Sequence, residues 1–184
     1  MSWKSSANQY GLIAIAIHWV SAAAILGLFA LGFLAANIDD PGVKAGLLRG
    51  HVPLGILALV LTLFRIGWWF VDRRPAQLLG MPSWQALSER IVRVLLYLLI
   101  GVMGASGIGL LVLSGAGAIL FFGAPGPLPD FWHYPPMFAH FAGAFALLAL
   151  AGLHIVAAFY HQFYKRDRLL ARMWTRPLEA GQDR

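Results

Sequence analysis

Histidine is the residue whose type and spacing could carry chemistry in this chain. Six histidines occur among the 184 residues, and the stretch "HFAGAFALLALAGLH" places His140 and His154 at the two ends of an apolar run. A bilayer is a poor solvent for an ionisable side chain, so each imidazole there needs a partner or a polar cavity. The question is therefore which groups satisfy these two histidines.

Depth in the membrane selects partners for them, at about 1.5 Å of rise per helical residue. His51 begins the second apolar run on the same side as His140, so those two are level. His154 lies about 21 Å deeper than His140 and is roughly level with His18 of the first run. Since 14 residues at about 100° each nearly restore the starting direction, one helix presents His140 and His154 on one face.

Two level pairs of imidazoles, with no carboxylate or cysteine at either depth, indicate a particular kind of metal site. They match the axial ligands of two haem irons better than a metal ion that takes four protein ligands. The pairs are His18 with His154 for an inner haem, and His51 with His140 for an outer haem. With both axial positions closed, such haems favour electron transfer over oxygen binding. The alternative is that each histidine packs between helices and bonds a backbone carbonyl.

His161 follows His154 by seven residues on the same helix face, nearer the cytoplasm. It could replace His154 as a ligand, but His18 would then lie too deep to pair with it. We therefore interpret His161 as lining a quinone pocket beside the inner haem, with an interfacial histidine as the alternative. His133, in a proline-rich loop, is predicted to be a surface residue.

Arg65 is the other charged group predicted within the membrane, 14 residues after His51 and on nearly the same helix face. A haem propionate is the counter-ion that we expect for it. The alternative is that Arg65, six positions from the predicted end of its span, extends its guanidinium to the membrane surface.

The elements that position these residues are predicted to be membrane-spanning helices. The chain is 59% hydrophobic and only 12% charged, with a mean hydropathy of +0.70, which indicates an integral membrane protein. We expect an all-α, four-helix transmembrane bundle forming one domain over residues 1–184. The four predicted spans are Gly11 to Ala36, His51 to Val71, Ile91 to Leu113 and Met137 to Tyr164.

The connections between the spans are predicted from their turn residues. The segment 37–50, with "DDPG" at its centre, reads as a short outer loop. Residues 72–89 read as a cytoplasmic connection in which Ser88 caps the third span. The proline-rich segment 121–136 reads as a structured outer loop. Glycines in the third span suit close helix contacts or a bulky planar ligand. The first run, at 26 residues, is too long for the apolar core of a signal peptide, so we expect it in the mature protein.

The net charge of +6 follows membrane topology, so we expect no nucleic-acid partner. Both termini are predicted to be cytoplasmic by the positive-inside rule. The opposite side carries only Lys44 and Arg49. The chain has no cysteine, which excludes disulfides and thiolate metal sites. The basic residues assigned to the cytoplasmic side are Lys4, Arg73, Arg74, Arg90, Arg93, Lys165, Arg166, Arg168, Arg172, Arg176 and Arg184.

With these residues in view, the chain resembles the prokaryotic cytochrome b561 family, four-helix dihaem membrane proteins. The resemblance covers nearly the whole chain. The segments that carry it are "AIAIHWVSA", "RGHVPLGILALVLTLFRIGWW" and "AHFAGAFALLALAGLHIVAAFYHQFYKRDRLLARMW". The family's ligands fall on His18, His51, His140 and His154. The sequence departs from these relatives where the third span nears the cytoplasm, with Arg90 and Arg93 and no histidine.

The resemblance implies two non-covalent haems b in the inner membrane of a bacterium. It also implies superoxide:ubiquinone oxidoreduction, with superoxide oxidised at the outer face and ubiquinone reduced near the inner haem. Lys44 and Arg49 are the cations available to steer the anion. The alternative function is an electron-transfer subunit that takes electrons from quinol and delivers them to a periplasmic redox protein. In either case the partners are membrane lipid and quinone.

Overall fold

All regular secondary structure in the described part of the chain is helical. The computed structural model describes residues 2–73, 75, 76, 81–167 and 169–174, so Arg74, Arg168, Arg176 and Arg184 lie outside the described residues. Four of its helices are long and apolar enough to cross a membrane, which confirms the predicted all-α, four-span architecture. The elements are α1 (Leu12–Asn37), α2 (Pro41–Trp68), α3 (Ser83–Leu113), α4 (Ala116–Phe121) and α5 (Pro136–Phe159), a π-helical turn (Tyr160–Lys165), and 3₁₀ turns at Phe131–His133 and Leu170–Met173.

Two helices begin earlier than predicted. The loop expected over residues 37–50 is wrong beyond residue 40, because Asp40 caps α2 by accepting a hydrogen bond from the Val43 N–H at 2.8 Å. Pro41 then occupies the first turn, where its missing N–H costs nothing. Ser88 does not cap the third span either. It lies inside α3, and its hydroxyl donates to the Trp84 carbonyl one turn back. The turn-forming residues "DDPG" are equally good helix-starting residues.

The bundle consists of two closely packed helix pairs. α1 packs along α2 and α3 along α5, with a smaller contact between α2 and α3, whereas α5 has few close contacts with α1 or α2. Small residues permit the close approaches: a Cβ on Gly27 of α1 would lie 3.0 Å from Leu54, and one on Gly143 of α5 would lie 2.9 Å from the Met103 sulfur. The α1–α2 pair and the α3–α5 pair therefore meet chiefly where α2 contacts α3.

One end of the bundle, which we call the terminal end, gathers the N-terminal segment, residues 69–73, 75 and 76, and residues 169–174. Asp72 accepts hydrogen bonds from the backbone and hydroxyl of Ser5, at 2.9 and 2.7 Å. Arg172, only 8% exposed, donates to the carbonyls of Ala7 and Ala76. These buried polar contacts tie three separate segments of the chain into one cap.

The other end of the bundle, which we call the opposite end, carries residues 38–40 and 114–135. Here α3 stops at Gly115, whose φ of +70° is one that residues with a side chain rarely adopt, and α4 follows. The Arg49 side chain donates from Nε to the Leu120 carbonyl at 2.8 Å. α2 thereby holds α4 in place.

Candidate functional site

The structure brings the four predicted ligand histidines together as two pairs, each formed between the α1–α2 pair and α5. The imidazole centres of His18 and His154 are 6.4 Å apart, and those of His51 and His140 are 6.2 Å apart. The first pair lies toward the terminal end and joins α1 to α5. The second lies toward the opposite end and joins α2 to α5. Helix α5 therefore supplies one histidine to each pair.

These separations fit one iron between the two rings of each pair. A metal–nitrogen bond to histidine is about 2 Å long, and the ligating nitrogen lies about 1 Å from its ring centre, so two axial imidazoles have centres about 6 Å apart. Within the described residues, no group of three or more His, Cys, Asp or Glu side chains could hold a metal ion. The donor set therefore suits a macrocycle that supplies the remaining ligands itself.

Ser106 of α3 holds His140 in the form that an iron ligand needs. Its hydroxyl lies 2.7 Å from the Val102 carbonyl, to which it donates, and 3.1 Å from Nδ1 of His140. Because the single hydroxyl proton is used on Val102, the oxygen accepts from the Nδ1–H of His140. Nε2 is then left unprotonated, with a lone pair for a metal.

Arg65 contacts His18 as a hydrogen-bond donor, whereas Ser106 contacts His140 as an acceptor. Its Nη1 lies 3.1 Å from Nδ1 of His18, in a partly buried contact. Since a guanidinium can only donate, Nδ1 of His18 must accept, and the ring proton then sits on Nε2. That tautomer has no Nε2 lone pair for iron, so ligation through Nε2 requires Arg65 to leave His18.

A small cavity adjoins this contact at the terminal end. Arg65, Arg73 and Arg93 line it together with the rings of Tyr97 and Trp69. Arg93 also pairs with Glu89 at 2.7 Å, one turn earlier on α3. The Asp72 carboxylate lines the same cavity, so three guanidinium groups face one carboxylate, and this net positive lining favours a further anionic group such as a carboxylate.

Glycines border the other pair of histidines. A Cβ on Gly32 of α1 would lie 3.1 Å from Cε1 of His51, and one on Gly107 of α3 would lie 3.4 Å from Cε1 of His140. Nδ1 of His51 is buried and has no hydrogen-bond partner within the described part of the chain; the Leu28 backbone is the polar group beside it. The absence of a Cβ at Gly32 and Gly107 thus keeps the helix backbones close to the two imidazole rings without a clash.

His161 lies apart from both ring pairs, in the π-helical turn that continues α5. Its side chain is 12% exposed, and its Nδ1 lies 2.5 Å from Oδ2 of Asp167. His133 is a surface residue as predicted, with 79% of its side chain exposed and Asp130 as its partner at 3.3 Å.

Sequence reasoning missed Ser106 and Asp167. Ser106 is 34 residues before His140 and reaches it only through the packing of α3 on α5. Asp167 is six residues after His161, a spacing that would put the two on different faces of an α-helix. A serine within the glycine-rich third span is the one signal available for Ser106, and Asp167 has none.

Comparison with known proteins places this arrangement among bacterial membrane cytochromes. Residues 9–176 match the family described as prokaryotic cytochrome b561. A relative named cytochrome b561 homolog 2, from Escherichia coli (strain K12), is 30% identical over 180 residues, covering 94% of this chain and 95% of its own. A relative named cytochrome b562, from Cereibacter sphaeroides, is 32% identical over 176 residues, covering 89% of this chain and 94% of its own.

Proposed function

The chain belongs to the prokaryotic cytochrome b561 family of multi-pass, haem-binding electron-transfer proteins, and from this premise we propose that it is a superoxide:ubiquinone oxidoreductase with two haems b. Two superoxide ions would lose one electron each and leave as O₂, and ubiquinone would take up the two electrons and two protons to become ubiquinol. The observation that carries the proposal is the presence of two histidine pairs, each spaced for one iron, toward different ends of one bundle.

The haem-holding residues proposed are those whose geometry fits. His18 and His154 would hold the haem at the terminal end, and His51 and His140 the haem at the opposite end. When bound, the two haems would pass single electrons between the two ends of the bundle. The protein's own contribution is to fix each imidazole, and Ser106 does this for His140 before any haem is present.

Arg65 is proposed to bind a propionate of the haem at the terminal end. Its present contact with His18 is incompatible with Nε2 ligation, so its charge needs another partner once that histidine is a ligand. The cavity beside it already contains Arg73 and Arg93, which suits the same carboxylate. Arg65 would thus exchange one partner for another as haem binds.

We propose that the terminal end faces the cytoplasm of a bacterial inner membrane. Among the described residues, Lys4, Arg73, Arg90, Arg93, Lys165, Arg166 and Arg172 belong to segments at or leading to that end. Lys44 and Arg49 of α2 belong to the opposite end. This asymmetry is the one that the positive-inside rule requires.

Superoxide would then arrive at the opposite end, where Lys44 and Arg49 are the candidate steering cations. The acidic residues there are partly engaged: Asp40 caps α2, and Asp130 pairs with His133 and caps the 3₁₀ turn. These hydrogen bonds do not remove the negative charge of Asp40 and Asp130, but they fix the positions of the two carboxylates. The quinone would bind at the terminal end, near the turn that carries His161.

The second candidate function is delivery of electrons from quinol to a periplasmic redox protein. The feature that favours it is apolar exposure at the opposite end, where Phe122 is 86% and Trp132 48% exposed. Such a surface suits transient docking of a protein better than capture of a small anion.

Stopped-flow mixing of the haem-loaded, oxidised protein with superoxide tests the proposal. We expect haem reduction faster than spontaneous dismutation, and reoxidation on addition of a ubiquinone analogue. Lys44→Gln with Arg49→Gln should slow the reduction and flatten its dependence on ionic strength, because steering of an anion is screened by salt. Haem reduction no faster than dismutation would reject superoxide as donor and leave the electron-transfer subunit as the function.

A further inference from the structure

The contact between His161 and Asp167 is produced by an unusual backbone. After Phe159, the helix widens into the π-helical turn Tyr160–Lys165, and Arg166 then adopts φ +54°. This brings Asp167 back onto the turn, where its N–H donates to the His161 carbonyl at 3.3 Å. Its Oδ2 meets Nδ1 of His161, while its Oδ1 accepts from the Leu169 N–H.

Both features of this backbone are costly. π-turns are rare and cluster at functional positions, and a left-handed conformation is unfavourable for a residue with a Cβ. Arg166 is the one non-glycine residue with positive φ in the described part of the chain. The His133–Asp130 pair, three residues apart, forms without either feature and is 79% and 59% exposed. Only the partly buried His161–Asp167 pair, of these two, therefore depends on the π-helical turn and on the positive φ of Arg166.

The chemistry of the pair is that of an imidazole oriented for proton transfer. A carboxylate at Nδ1 keeps a proton on that nitrogen, so Nε2 is the atom that can give and regain a proton. The Asp167 side chain is 26% exposed and that of His161 is 12% exposed, so Asp167 is the member of the pair nearer the solvent.

We propose that Asp167 positions His161 as the proton donor to the quinone reduced at the terminal end. This inference rests on the proposed function. Ubiquinone needs two electrons and two protons, and membrane lipid supplies no protons. His161 would transfer a proton from Nε2 to a quinone oxygen and be reprotonated from water, with Asp167 remaining ionised throughout.

The other polar groups of this turn are arranged compatibly. Lys165 donates to Oε1 of Gln85 on α3 at 2.9 Å, which draws its charge away from His161. The Tyr160 ring lies edge-on to the imidazole, with centres 5.9 Å apart. Oε1 of Gln162 is buried without a hydrogen-bond donor among the described residues, so it could accept from a quinol hydroxyl.

The test uses haem-loaded protein whose haems are chemically reduced beforehand, so it does not depend on superoxide. Rapid mixing with a soluble ubiquinone analogue should reoxidise Asp167→Asn at least tenfold more slowly than the wild type, with a larger solvent deuterium isotope effect. Asp167→Glu should recover much of the rate. Asp130→Asn, which alters the exposed pair, is the matched control and should behave as wild type.

Ferricyanide, which accepts electrons without protons, separates proton delivery from damage to the fold. We expect it to oxidise Asp167→Asn and wild type at equal rates. Equal slowing with both acceptors, or a wild-type rate with the quinone analogue, would overturn the inference. If Asp167→Asn loses haem, His161→Gln is judged by the same two criteria. Failure of the proposed function would appear separately, as absent reduction by superoxide in an otherwise quinone-reactive protein.

Discussion

The two histidine pairs have nearly the same spacing, 6.4 and 6.2 Å between ring centres. They differ in the group that contacts Nδ1 of one histidine in each pair. At His140 the partner is Ser106, an acceptor that leaves Nε2 ready for iron. At His18 it is Arg65, a donor that blocks the same tautomer. Distance alone would make the two sites equivalent. Hydrogen-bond polarity predicts instead that one site is preorganised for haem and the other must rearrange.

Removal of a ligand should have the largest effect and should separate the two sites. His51→Ala or His140→Ala should abolish the haem toward the opposite end and retain the other, and His18→Ala or His154→Ala should do the reverse. The measurement is haem stoichiometry with low-temperature absorption spectra of the purified variants, against two haems b in the wild type. Loss of different spectral components from His51→Ala and His140→Ala would contradict the pairing.

Substitution of Arg65 should affect only the haem held by His18 and His154. Arg65→Met removes the proposed propionate partner, and we expect haem affinity there to fall about 10- to 100-fold, as loss of a charge-assisted hydrogen bond implies. Haem titration into apoprotein measures this. Arg65→Gln sharpens the result, because its amide oxygen can accept from the His18 Nδ1–H. Tighter binding in both variants would mean that Arg65 only competes for His18.

Gly32→Ala should weaken the haem held by His51 and His140 about tenfold, because the added methyl would lie 3.1 Å from the His51 ring. The change should otherwise favour helix α1 by up to about 1 kcal/mol. Gly46→Ala on α2 is the control, since a Cβ there meets nothing within 4 Å. The readout is haem retention during dilution. Equal retention by both variants would show that the space beside His51 is not needed.

Ser106→Ala should have a smaller effect on the same site, a severalfold loss of haem affinity, because the Met103 backbone is a second polar neighbour of the His140 ring. It should also shift the midpoint potential of that haem alone, because the Nδ1–H of His140 loses the Ser106 oxygen as an acceptor. Redox titration followed by absorption gives both potentials. Ser106→Thr, which keeps the hydroxyl, should restore the value. An unchanged potential in Ser106→Ala would remove the claimed difference between the two sites.

The smallest effect concerns the cap over the terminal end. Burial opposes ionisation of Asp72, but hydrogen bonds from Ser5 and Trp68 outweigh it and hold its pKa below the ordinary 3.8. Its ionised form therefore stabilises the fold fully above pH 3.8, and that contribution is lost as pH falls through the lower, folded-state pKa. Thermal unfolding across this range should lose less stability in Asp72→Asn than in wild type, by about 1 kcal/mol. Parallel pH profiles would contradict this.

The sequence predicts the helices of this protein better than it predicts the contacts between their side chains. Apolar runs predicted four spans, and most of the predicted ends lie within a few residues of the observed helix ends. Length and hydropathy decide membrane insertion, so these features can be recognised in the sequence. The start of α2 was misjudged, since Asp40 and Pro41 suit a turn and a helix cap equally well. Helical spacing placed the four histidines as two level pairs. It could not find Ser106 or Asp167, whose contacts depend on how α3 packs and on a π-turn.

That α5 supplies a histidine to both pairs has a consequence for biogenesis. Chain order brings α1 and α2 into the membrane first, with His18 and His51 each lacking the second ligand. On the proposed ligation, both missing ligands are His154 and His140 of the fourth span, so no haem would gain two axial histidines until that span is inserted. The α1–α2 and α3–α5 pairs can pack beforehand through their own contacts. Cofactor capture would then be the closing step of assembly, and a chain stalled before its fourth span would hold neither haem by two histidines.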